Sequence, residues 1–149
     1  MTWIRCLTLA AAALTAVTAT CPSPEWKQFR DFCYWSSNYT LRWEDTRRVC
    51  QTMFPGSDLV SIHDLEVDTF IAEELLGGSR AWLGLRRFSD SAPWIWTDGT
   101  PLDYTNWDGG DPDWYGEGCA IINYGNMGAW TGASCNGIYF EYMCQIDAW

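Results

Sequence analysis

The side chains with the most chemical potential fall in one short stretch. Asp108, Asp111, Asp113 and Glu117 place four carboxylates within ten positions. Converging carboxylates suit a hard cation such as calcium, which takes about six to eight oxygen ligands. Trp114 stands among them and offers a flat apolar face that can stack on a ring. A solvated acidic loop explains the same residues with no ligand at all. His63 is the only histidine and, carboxylates aside, the only candidate general base. It sits beside Asp64 where a helix is predicted to start, and no nucleophile motif accompanies it, so no catalytic residue is assigned and no enzyme is expected. Asn38-Tyr39-Thr40 is an acceptor sequence for N-glycosylation, which belongs on the surface of a secreted chain.

The rest of the chain must hold that stretch in place. Residues 1–19 read as a secretory signal peptide: Arg5 is the only charge, an apolar run follows to Val17, and Val17-Thr18-Ala19 is a small-residue cleavage pattern. The run is too short for a permanent membrane span, so a secreted, extracellular chain is expected, with residues 20–149 forming one domain. Cleavage removes Cys6 and leaves Cys21, Cys33, Cys50, Cys119, Cys135 and Cys144. An even set in a secreted chain predicts three disulfides, and counting alone leaves their pairing open. Zinc sites are disfavoured, because no Cys-x-x-Cys pair exists and there is one histidine. The formal charge of −10 repels nucleic acid and anionic membranes, so neither is an expected partner, and no membrane insertion is expected.

Patterning predicts the elements. Trp26 to Cys33 alternates polar and apolar residues and reads as a strand. Trp43, Thr46, Cys50 and Met53 fall on one helical face, with Thr40 as cap and Pro55-Gly56 as stop. Leu59 to Ile62 is a short strand. Asp64 caps a second helix with the stripe Val67, Phe70, Ile71 and Leu75, ended by Gly77-Gly78. Ala81 to Leu85, Cys119 to Tyr124 and Tyr139 to Gln145 are further strands. Residues 86–118 are rich in Gly, Pro, Asp and Trp, and a long irregular segment in a compact domain is usually functional. The order strand, helix, helix, then strands suggests an α+β domain.

From Cys21 onward the chain resembles the C-type lectin domain. The marks are Leu41-Arg42-Trp43 running to Cys50, Trp82-Leu83-Gly84-Leu85, Trp94-Ile95-Trp96-Thr97-Asp98-Gly99, Tyr104-Thr105-Asn106-Trp107, Asp111-Pro112-Asp113, Glu117-Gly118-Cys119, Ala129-Trp130-Thr131-Gly132, Cys135 and Cys144. The resemblance implies a C-type lectin-like fold with two helices, small antiparallel sheets and a long irregular binding loop. It implies Cys50 bridged to Cys144, Cys119 to Cys135, and Cys21 to Cys33 closing an N-terminal hairpin. It also implies a sugar site built on calcium, with Asp111, Asp113 and Glu117 as ligands and Pro112 carrying a cis peptide. Asp113 and Trp114-Tyr115-Gly116 resemble the galactose-type motif, in which Trp114 stacks on the sugar.

Three departures bear on the metal. Asp111 is one methylene shorter than the Glu or Gln of the motif and, when ionised, only accepts hydrogen bonds. Thr131-Gly132 stands where sugar-binding members carry Asn-Asp, with Asn126 or a carbonyl as substitutes. Arg86 and Arg87 fall where the auxiliary site has carboxylates. Two functions follow from the resemblance. One is a secreted lectin recognising microbial or other glycans in innate defence, with calcium as a weak cofactor. The other is a calcium-independent binding module for a protein, a bacterial wall polymer or a mineral surface. The sequence has no collagen-like or coiled-coil segment from which to read an oligomer.

Overall fold

The structure, a computed structural model, describes residues 20–110, 112 and 114–149. The predicted signal peptide and both Asp111 and Asp113 lie outside the described residues. The chain opens with β1 (Lys27–Phe29) and β2 (Phe32–Ser36), an antiparallel hairpin in which Phe29 faces Phe32. The single strand expected over Trp26 to Cys33 is therefore two. Arg30 turns the chain with φ 53°, and a two-residue polar turn is invisible to a pattern of alternating polar and apolar residues.

Helix α1 (Trp43–Met53) buries Trp43, Thr46 and Cys50, the expected face. Its cap position is Arg42, with no side-chain hydrogen bond, rather than Thr40. After β3 (Asp58–Leu59) comes α2 (Leu65–Thr69), capped as expected by Asp64, whose Oδ1 accepts from the amides of Glu66 and Val67 at 2.9 and 3.0 Å. Those bonds, the one from Val67 foremost, hold the Asp64 carboxyl below the usual carboxylate range. Past Thr69 the helix widens into a π-helical turn over Phe70–Leu75, and Leu76 N donates to Ile71 O at 3.0 Å. The wider turn shifts the buried stripe by one residue, so Leu76 is buried and Leu75 only partly.

The strands β4 (Ala81–Arg87), β5 (Ile95–Trp96), β6 (Gly118–Ile122), β7 (Trp130–Ala133) and β8 (Glu141–Asp147) complete the sheet, in the order β1-β2-β8-β4-β6-β7. Most neighbours run antiparallel; β4 and β8 are parallel at Ala81–Glu141 and Trp82–Tyr142. Both faces of β4 and β6 are buried. Ala81, Leu83, Leu85, Ala120 and Ile122 face α2 and the tryptophans Trp96, Trp107 and Trp130. Trp82 and Ile121 face α1, with Trp43 and all three bridges near them. The disulfides are Cys21–Cys33, Cys50–Cys144 and Cys119–Cys135, the pairs the resemblance implies.

Candidate functional site

The irregular segment between β5 and β6 hangs from a knot of aromatic rings. Trp130 on β7 touches Trp96, Tyr104 and Trp107 at ring-centroid distances of 5.5, 5.7 and 5.7 Å, and Trp94 lies 4.9 Å from Trp107. Beneath them lies Asp68 of α2, only 1% exposed. Its carboxylate accepts from Trp130 Nε1 and Asn106 Nδ2, both at 2.8 Å, and from the Tyr104 hydroxyl at 3.3 Å. Burial raises the Asp68 pKa against the pull of these donors. The Tyr104 hydroxyl is pushed up to about 12, by burial first and the Asp68 charge second. The knot fixes where the segment leaves and re-enters the sheet. Asp68 was open to detection: it lies between Val67 and Ile71 on the apolar stripe, where an ionised side chain must find donors.

The far end of the segment is tied to β4. Arg86 Nη2 donates to Glu117 Oε1 at 2.8 Å and its Nη1 to Glu44 Oε1 at 2.6 Å. Arg87 Nε donates to Gly116 O at 3.0 Å, and Arg87 Nη2 to Trp114 O and to Asp90 at 3.3 Å. Asp90 accepts from Gly116 N. Trp114 packs over the sheet where no side chain stands: a Cβ on Gly132 would lie 2.4 Å from Trp114 Cβ, and one on Gly118 would lie 2.5 Å from Trp114 Cδ1. Its Nε1 donates to Glu117 O at 2.7 Å. Half-exposed, it also lines a groove with Ile121, Tyr124, Thr131 and Phe140. Tyr115, 85% exposed, projects beside it.

Of the sequence-predicted ligands, Trp114 and Glu117 are thus brought together at the end of the segment, on either side of Gly116. Asp111 and Asp113, and with them the Asp111–Pro112 peptide, lie outside the described residues. Among the described residues the donor set does not fit a calcium cage. The Glu117 carboxylate already carries a guanidinium. Asn126 Nδ2 donates to Asp108 Oδ1 at 2.9 Å, so that amide is engaged too. The room beside Gly132 is taken by Trp114. Among the described residues no group of three His, Cys, Asp or Glu side chains is placed to hold a metal ion. Asn38 is exposed, as a glycosylation acceptor requires.

His63 belongs to a second polar cluster. Its Nδ1 lies 2.7 Å from Asp103 Oδ1 and its Nε2 lies 3.2 Å from Ser61 Oγ. Serine, histidine and aspartate in that order resemble a hydrolytic triad. The hydroxyl is otherwise engaged, however: Ser61 Oγ donates to Asp98 Oδ2 at 2.5 Å, accepts from Gln145 Nε2 at 2.9 Å, and the residue is 4% exposed. Its proton is directed at Asp98 rather than at the imidazole, and the cluster pins residues 98–103 to β8. The His63 contact holds the exposed Asp103 carboxyl below the usual range.

Comparison with known proteins agrees with this fold. The family described as Lectin C-type domain matches residues 39–146. Lectin BRA-3 of Megabalanus rosa is 31% identical over 138 residues, which cover 89% of this chain and 85% of that protein. The mouse scavenger receptor C-type lectin carbohydrate-recognition domain superposes with a TM-score of 0.73 at 35% identity, over 85% of this chain and 96% of that one. A calcium-independent type II antifreeze protein superposes with a TM-score of 0.78 over 89% of this chain and 98% of that one; at 24% identity this is a likeness of fold.

Proposed function

Since the chain belongs to the C-type lectin domain family, we propose that it is a secreted carbohydrate-binding protein whose ligand rim is residues 111–117. The reading is supported above all by Trp114. Its indole is braced from below by the Gly118–Gly132 floor and fastened at Nε1, and it is half-exposed above. A tryptophan held this way loses little entropy on stacking against the apolar face of a sugar. Asp111 and Asp113, flanking Pro112, then accept hydrogen bonds from sugar hydroxyls. The motif around Asp113 favours galactose, on glycans of microbial or other surfaces. Export by a signal peptide at residues 1–19 suits a chain with three disulfides, which persist in oxidising compartments.

A second reading, binding without calcium, is favoured by a specific observation. The acid expected to ligate the ion, Glu117, is paired with Arg86, and drawing it away to a metal would leave that largely buried guanidinium with Glu44 as its one remaining carboxylate partner, at a cost. One titration tests both. Galactose and mannose are titrated calorimetrically into the oxidised protein, in millimolar calcium and again in EDTA. Galactose binding in both buffers, weakened about tenfold by Trp114→Ala, is the expected result; tenfold corresponds to about 1.4 kcal/mol. Binding that vanishes in EDTA would return calcium to the site and require Glu117 to leave Arg86. No binding of either sugar in either buffer would refute the carbohydrate reading.

A further inference from the structure

Arg86 and Arg87 end β4 beneath the rim, and their surroundings are those of an ion rather than of two surface side chains. Around the Arg87 guanidinium converge the carbonyl oxygens of Trp114 and Gly116 and the carboxylate of Asp90. Two carbonyls and a carboxylate aimed at one positive centre are the donor types that a hard cation collects. Arg86, its side chain 10% exposed, spans from Glu44 on α1 to Glu117 on the loop. Its guanidinium carbon lies 4.9 Å from the Trp43 ring centroid and 4.1 Å from that of Phe88. A buried guanidinium is costly unless paired, and here two carboxylates and two ring faces surround it.

We propose that the arginine pair is a built-in replacement for a loop-bound cation, holding residues 114–117 in their ligand-competent shape without metal. Three anchor points within four residues, Trp114 O, Gly116 O and the Glu117 carboxylate, are each gripped by a guanidinium. Arginine suits the task because it stays charged at every accessible pH and its planar fork reaches several oxygens at fixed angles. Being covalently attached, it cannot be lost to a chelator. Both residues are positioning residues: neither need touch the ligand.

The proposal takes the loop as the ligand rim, as above, and its test uses no ligand, so a failure to bind sugar and a failure of this anchoring are distinguishable. Amide hydrogen exchange is followed for peptides spanning 114–118 in the oxidised full chain, in EDTA and in millimolar calcium. The unsubstituted protein is expected to exchange equally in both buffers. Arg87→Ala should speed exchange at Gly116 by about tenfold or more, while β4, β6 and β8 keep their protection. Arg87→Lys, which keeps the charge and loses the fork, should fall between the two. Arg87→Asp should make the segment calcium-sensitive, because a fourth oxygen group then faces the same carbonyls and Asp90. Faster exchange of the unsubstituted protein in EDTA would overturn the proposal. So would unchanged exchange in Arg87→Ala or Arg87→Lys, or an Arg87→Asp chain indifferent to calcium.

Discussion

Asp68 shows how one buried charge can organise a long segment. Its hydrogen bonds come from Trp130, Asn106 and Tyr104, all neutral donors, so none of them cancels its charge while two separate parts of the chain, residues 104–106 and β7, converge on it. Because burial raises its pKa, the folded state takes up the proton more readily than the unfolded state. The stability linked to this proton is fully present below the ordinary carboxylate range and is lost as pH rises through the raised folded value. Asp64 has the opposite sign: its lowered pKa contributes stability above the ordinary range, lost on acidification. Asp68→Asn isolates the first effect. The amide turns an NH2 group toward donors and should cost about 1–2 kcal/mol in acid. It also removes the ionisation penalty, so the gap to the unsubstituted protein should narrow between about pH 4 and about pH 7. Urea unfolding at the two pH values measures this; a gap that does not change with pH would mean that Asp68 is not the group titrating.

At the level of elements, Gly84 is the point where three segments meet. A Cβ there would lie 2.9 Å from Val60 O, 3.0 Å from Leu59 O and 3.0 Å from Thr97 Oγ1. Two of these are backbone atoms that cannot rotate away, and Gly84 is itself bonded to Val60 and Thr97 through its N–H and its carbonyl. Gly84→Ala should therefore destabilise by about 2 kcal/mol, as over-packing does, with a lower urea midpoint at unchanged slope. A loss below a few tenths would show that β3 and β5 slide freely over β4. The face of α1, the cap of α2 and the strands β4, β6 and β8 follow from apolar periodicity and turn residues, and the resemblance supplied the disulfide pairs. The short strands β5 and β7 were not seen, since two to four residues leave no period to count. Nor was the break at Arg30, where polar residues continue the alternation. The candidate site reads in the sequence as a stretch of acids around Trp114, but the grip of Arg86 on Glu117, 31 positions away, exists only once β4 and the loop are side by side.

On the scale of the whole molecule, the three disulfides and the aromatic knot compensate for a long segment with little ladder of its own. Cys50–Cys144 joins α1 to β8 across 94 positions, whereas Cys119–Cys135 joins the start of β6 to the turn after β7 across 16. If each acts chiefly by restricting the unfolded chain, removing the long closure should cost about 4–5 kcal/mol and the short one about 3. All four cysteines are buried in one cluster, so each double alanine variant also loses similar packed sulfur, and the difference between them reports the closure. The experiment compares denaturant midpoints of Cys50→Ala/Cys144→Ala and Cys119→Ala/Cys135→Ala, with the remaining bridges oxidised. The long closure should prove the costlier. The reverse order would mean that the short bridge acts in the folded state. It ties the β6–β7 pair directly beneath Trp114, and its loss would then loosen the floor on which that indole rests.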